Sequence, residues 1–174
     1  LKSRNNLRNS NKEKSENLMI VDLVRNDFSK NCTTNSVKVK NLFKISSYKT
    51  VHHMSSDVHG TKNTNCSNLE LIKNCFPPGS MTGAPKIKAM EVCSKLEKNS
   101  RGIYSGVIGF LNNNVCKLSV TIRTILIQNN SFEFQVGGAI TFDSKPIKEW
   151  HETINKTKGM VKALGVKLST LRKL

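Results

Sequence analysis

The sequence predicts an α+β fold, antiparallel sheets packed with helices, on three observations. Its second half holds three strand-like stretches whose connections are too short for crossover helices, so the strands pair antiparallel. Helical spacing of apolar residues runs over Ser15 to Asp27 and over Pro146 to Leu164. And 37% hydrophobic with 23% charged residues in 174 suits one folded domain rather than a disordered chain.

In order, residues 1–14 read as a polar low-complexity lead-in, 15–168 as the folded part and 169–174 as a tail. The first helix takes Ser15 as its cap and Leu18, Met19, Leu23 and Val24 as apolar positions. Ser29 to Asn35 is a polar loop, Val37 to Ile45 a strand-and-turn region, and Thr61 to Asn68 a loop. Phe76 to Pro85 (FPPGSMTGAP) is a turn opening a helix, with Thr82 as cap and Pro85 in the first turn. Ile87, Met90 and Leu96 are that helix's apolar positions. Ile103 to Leu111 reads as a strand and Val115 to Ile127 as a longer one. Along the latter, Cys116, Leu118, Val120, Ile122 and Leu126 share one face and Lys117, Ser119, Thr121 and Arg123 the other. Asn129-Asn130 turns the chain into a hairpin with Phe132 to Val136. Ser144 is placed to cap the last helix.

Composition excludes several classes. No apolar run reaches the roughly 18 residues of a membrane span, and the basic N-terminus lacks the apolar stretch of a signal peptide. Five Cys, none in C-x-x-C spacing, fit a reducing, cytoplasmic setting better than a disulfide framework or a zinc knuckle. The net charge of +16 points either to an anionic partner or to Lys scattered over the surface. A nucleic-acid-binding domain is the competing class. It rests on charge alone, and 6% aromatic residues give little for bases to stack on.

The last helix holds the densest chemistry. Ile147, Trp150, Ile154, Thr157, Val161 and Leu164 fall in one arc of roughly 100°. Glu149, Glu152 and Lys156 lie on its flank. Two carboxylates at i and i+3 can share a divalent cation, and the same residues can equally form a surface ion pair. Arg123 in mid-strand is a bidentate clamp for a carboxylate or part of a solvated sheet face. His52-His53 lack partners at zinc spacing. Neither Pro78-Gly79-Ser80 nor Gly137-Gly138-Ala139 matches a nucleotide-binding fingerprint.

Six stretches together carry a resemblance: ENLMIVDLVRND (16–27), YKTVHHMSSDVHG (48–60), FPPGSMTGAPKIKAME (76–91), RGIYSGVIGF (101–110), LSVTIRT (118–124) and VGGAITFDSKPIKEWHETINK (136–156). In this order the chain resembles the C-terminal part of the chorismate-binding enzymes, the family of anthranilate synthase component I and aminodeoxychorismate synthase component I. The resemblance implies the chorismate-utilising enzyme fold, N-terminally truncated here, since the family's Pro-Ile-Lys-Gly-Thr segment with its proposed nucleophilic Lys does not occur in these residues.

It further implies Mg²⁺ as cofactor, with Glu16 and Glu152 as ligands and Glu13 and Glu149 at neighbouring acidic positions. The ion would reverse the repulsion between these acids and an anionic substrate. By the same resemblance Arg123 and Lys156 clamp the carboxylates of chorismate, while Thr82 and the backbone at Gly138 and Ala139 donate hydrogen bonds. His53 falls at the histidine beside the C4 hydroxyl. His53 and Lys156 are thus the expected catalytic residues.

Asp22 to Asp27 (DLVRND) points to the ammonia-using branch, and FPPGSMTGAPK with Ala139 to the enzyme forming 4-amino-4-deoxychorismate for p-aminobenzoate and folate. Anthranilate synthase component I is the alternative. The implied partners are chorismate and a glutamine amidotransferase domain or subunit supplying ammonia, with no nucleic acid and no membrane. This piece alone is expected to be weakly active or inactive.

Overall fold

A computed structural model describes residues 4–48, 51–112 and 115–171. The chain divides into two compact units, Leu1–Glu97 and Lys98–Leu174, where the sequence reading has a single folded part.

The first unit contains helices α1 (Arg4–Asn9) and α2 (Asn11–Ser29), strands β1 (Lys38–Ser47) and β2 (His52–His59), and helices α3 (Asn68–Cys75), α4 (Gly79–Thr82) and α5 (Lys86–Leu96). The polar lead-in is therefore helical in part, and Leu7 of α1 is buried. Helix α2 starts four residues before the expected cap. Ser10 is its N-cap, and its hydroxyl accepts the Glu13 N–H at 3.3 Å. Ser10 and Glu13 have the S-x-x-E spacing that begins helices, which apolar periodicity alone does not register because the first turns are polar. Ser15 lies inside the helix.

Strands β1 and β2 pair antiparallel, with Val39 opposite Val58, Ile45 opposite Met54, and a register shift between Lys40 and Lys44. Within that shift the Phe43 N–H donates to Ser56 Oγ at 3.0 Å, and the Ser56 hydroxyl donates to Asn17 Oδ1 on α2. By strand alternation, His52, Met54, Ser56 and Val58 share the face that meets α2. Beyond α2, buried Asn31 gathers the chain: its amide donates to the Asp27 carbonyl at 3.0 Å, and its Oδ1 accepts from Asn74 at 2.7 Å and from the Cys66 thiol at 3.6 Å.

Thr82 does not cap α5. It ends the short α4, its hydroxyl donating to the carbonyls of Pro78 and Gly79, and Pro85 precedes α5. The apolar positions Ile87, Met90 and Leu96 are exposed, and α5 buries no residue.

In the second unit β3 (Val107–Leu111) pairs antiparallel with β4 (Cys116–Val120), and β5 (Leu126–Gln128) with β6 (Ser131–Glu133). The antiparallel pairing is as expected; the long strand over Val115 to Ile127 is not. Thr121 ends it. Its N–H donates to the Gly106 carbonyl at 2.9 Å, its hydroxyl donates to the Ile103 carbonyl, and the Ile122 N–H turns back to Val120 O at 2.9 Å. Nor is the face of Cys116 and Leu118 buried. Asn129 and Asn130 take φ values of 48° and 61°, the pair of left-handed residues a two-residue type I′ hairpin requires.

Helix α6 (Pro146–Leu164) keeps its expected bounds, with Pro at its start and Gly165 at φ 67° closing it. Lys145, not Ser144, stands at the N-cap. Thr157 and Val161 of the expected stripe are buried, together with Met160, whereas Ile147 and Trp150 are exposed. A single 3₁₀ turn (Leu168–Thr170) follows. Among the described residues no helix is long and apolar enough to cross a membrane.

Candidate active site

In the first unit, α2 carries Glu13 and Glu16. The two are one turn apart, and Glu16 Oε1 lies 3.6 Å from Lys12 Nζ. At 100° per residue, Glu16, Leu23 and Asp27 fall within about 40° of one another on this helix. The α4 loop bearing Thr82 docks on that stripe: a Cβ on buried Gly79 would lie 3.0 Å from Leu23 Cδ1, so a larger residue there would force the Leu23 side chain to give way. The loop that bears Thr82 is therefore mounted on the α2 face that also carries Glu16.

His53 is placed differently. With Ser55 and Asp57 it takes the β2 face opposite Ser56, so it is not on the face that contacts Asn17. Its ring meets Tyr48 edge-on with centroids 5.6 Å apart. Its neighbour His52 shares the Ser56 face and holds Ser47 Oγ at 2.9 Å through Nδ1.

In the second unit, Gly137 and Gly138 lie against α6. The Lys156 ammonium donates to Gly137 O at 3.0 Å and pairs with Glu152 Oε1 at 3.0 Å. A Cβ on Gly138 would meet Glu149 Oε2 at 3.7 Å, Lys156 Nζ at 3.8 Å and Thr153 Oγ1 at 3.9 Å. Glu149 Oε1 accepts from Ser144 Oγ at 2.9 Å. Residue 144 thus orients an acid rather than capping the helix. The cradle consequently presents a backbone turn, an ammonium and two carboxylates within one patch of α6.

Arg123 is exposed and sits outside any strand at φ 54°, two residues past the Thr121 anchor, not in mid-strand as its alternation with Thr121 suggests. The left-handed conformation turns the chain there, and alternation cannot signal that.

Among the described residues no group of three or more His, Cys, Asp or Glu side chains stands together to hold a metal ion. What the structure offers is two pairs of carboxylates at i and i+3, Glu13 with Glu16 and Glu149 with Glu152. Hard oxygen donors in ones and twos suit Mg²⁺, which keeps several waters and completes its shell with substrate oxygens. The chemistry of each pair fits that ion.

Of the residues in these surroundings, Tyr104 and Thr153 carry no assignment from the sequence, and Ser144 only that of a helix cap. Tyr104 Oη lies 3.0 Å from where a Cβ on Gly137 would be. Its signal is its place in RGIYSG, a stretch matched as a whole with no role given to the ring.

The family profile of the chorismate binding enzymes matches residues 1–162. The chain belongs to this family. The match includes residues 1–14, so the lead-in belongs to the family's matched region as well. Among chorismate-binding relatives, a probable chloroplastic aminodeoxychorismate synthase of Oryza sativa subsp. japonica is 45% identical over 159 residues, covering 91% of this chain and 18% of that protein. Anthranilate synthase component 1 of Aquifex aeolicus is 40% identical over 156 residues, covering 89% of this chain and 32% of that one. The crystal structure of anthranilate synthase component I from Streptococcus pneumoniae superposes with a TM-score of 0.83 at 36% identity, over 90% of this chain and 36% of that one. The chain thus spans less than a third of the length of these two curated relatives, and it has the chorismate-utilising α+β fold.

Proposed function

We propose that this chain is part of an enzyme that aminates chorismate at C4, giving 4-amino-4-deoxychorismate, with Mg²⁺ and with ammonia delivered by a glutamine amidotransferase domain or subunit. The observation that carries the reading is the α6 cradle of this chorismate-binding chain. There the Lys156 ammonium and the backbone at Gly137-Gly138 meet Glu149 and Glu152, two acids that an anionic substrate tolerates only beside a cation.

In the reaction the C4 hydroxyl departs as water and ammonia's nitrogen takes its place. Mg²⁺ bound at the acidic positions supplies the positive charge that neutralises the substrate's carboxylate. Lys156 and Arg123 bind carboxylates by charge-assisted hydrogen bonds, Thr82 adds a hydroxyl, and His53 orients or protonates the leaving hydroxyl. Identity to an enzyme named aminodeoxychorismate synthase supports the C4 product, as does Ala139 in the glycine turn. The 40% match to an anthranilate synthase component 1 supports a second reading, amination at C2 followed by loss of pyruvate. A cytoplasmic setting belongs to the same proposal.

The test is calorimetric titration of the chain with chorismate, with and without Mg²⁺, beside Glu152→Ala. Mg²⁺-dependent binding that the substitution abolishes is the expected result. Folded chain that binds no chorismate under either condition overturns the reading.

A further inference from the structure

Lys86 is the first residue of α5, and a cation there opposes the helix dipole, so the position does nothing for the helix itself. Its ammonium instead reaches back across the loop to Asp27 of α2, 2.5 Å from Oδ2, and also donates to the Cys75 carbonyl at 3.3 Å. Both side chains are removed from water, Asp27 at 8% and Lys86 at 15% exposure. Lys30 stands 3.9 Å from the other carboxylate oxygen.

Asp27 is one helical turn beyond Leu23, the residue on which Gly79 rests. The segment Gly79–Lys86 is therefore fastened to consecutive turns of α2 at both ends, by close packing at Gly79 and by a buried ion pair at Lys86. Thr82 lies between the two fastenings.

We propose that Asp27 and Lys86 are positioning residues: their ion pair holds the Thr82 loop in register with Glu16 on the same α2 face. This rests on the chorismate reading for its purpose, but not for its geometry. A buried pair is seldom the most stabilising choice at such a place, since apolar replacements often match it. What it provides is direction, because an ammonium on a carboxylate fixes where the loop ends.

The test compares Lys86→Met and Lys86→Arg with the parent chain. The first readout is hydrogen exchange at the Gly83 amide, which donates to Gly79 O inside the loop, against the Val58 amide of the β1–β2 hairpin. Lys86→Met is expected to speed Gly83 exchange by about tenfold or more while Val58 is unchanged, and Lys86→Arg to restore most of the protection. The second readout is chorismate affinity, expected to fall about tenfold in Lys86→Met and to recover in Lys86→Arg. If Lys86→Met unfolds, Asp27→Asn combined with Lys86→Met leaves no uncompensated charge and is measured in the same way. Gly83 exchange equal to the parent's in a folded variant lacking the pair overturns the proposal. A parent chain that binds no chorismate defeats the proposed function instead, and the exchange arm still decides the clamp.

Discussion

The Lys156 ammonium bonds the Gly137 carbonyl at 3.0 Å while pairing with Glu152 at the same distance, so one side chain ties the glycine turn to the acid row of α6. An ammonium has three donors, so under the proposed function Lys156 can meet a substrate carboxylate without breaking either contact.

Lys156→Met is expected to weaken chorismate binding about 10- to 100-fold, the scale of a lost hydrogen bond to a charged group. Its effect on stability is expected to stay below about 1 kcal/mol, since Glu152 is half exposed and such pairs are screened. Titration beside a thermal melt separates the two. A melt lowered in proportion to the lost affinity would make Lys156 structural.

Gly138→Ala and Gly109→Ala are expected to behave oppositely. A Cβ at 138 finds only ordinary contacts, the nearest at 3.7 Å, so stability is expected to shift by less than about 0.5 kcal/mol. A Cβ at 109 would stand 2.0 Å from the Lys117 carbonyl oxygen of the paired strand, so β3 and β4 must separate, at a cost of about 2 kcal/mol or more. Urea unfolding of the two variants checks both, and equal midpoints would contradict the close approach of these strands.

Ser10→Ala removes the side-chain acceptor that caps α2 and is expected to cost about 0.5–2 kcal/mol. Because Glu13 and Glu16 ride on the turns that fray first, Mg²⁺ affinity is expected to fall with it. Ser10→Asp restores the acceptor, and both properties are expected to recover.

Burial pushes the Cys75 thiol up from its ordinary value, and the Asp27 carboxylate adds to the rise. Cys32 is raised by burial too, with Cys66 contributing. A raised thiol holds less thiolate at any given pH, so alkylation of Cys75 is expected to keep accelerating at pH values where the urea-unfolded chain has levelled off. Mass spectrometry of iodoacetamide-treated chain over a pH series reads this directly. A folded-state profile that coincides with the unfolded one would show that the site is not shielded as described.

Local features are legible in the sequence where one residue type forces the geometry. Pro146 and Gly165 bound α6 on both sides, and Asn129-Asn130 dictates a tight turn. Arg123 is misread because perfect alternation from Cys116 continues through a point where hydrogen bonds to Ile103 and Gly106 stop the strand. Ser10 is missed because its helix opens on Asn, Lys and Glu, which carry no apolar period. On α6, the gathering of Glu149, Glu152 and Lys156 on one flank is legible because they repeat at helical spacing. The side of β2 that His53 occupies is not, since it depends on which strand face the Asn17–Ser56 contact selects.

The two fastenings of the Thr82 loop also act as a ruler. Leu23 and Asp27 are about 6 Å apart along α2, a spacing set by the backbone and indifferent to side chains. The stretch from Gly79 to Lys86 must span that gap with its present number of residues. Inserting or deleting a residue would change the path between the two fastenings, whatever side chains the segment carries. Helix pitch thus sets the distance that this segment bridges.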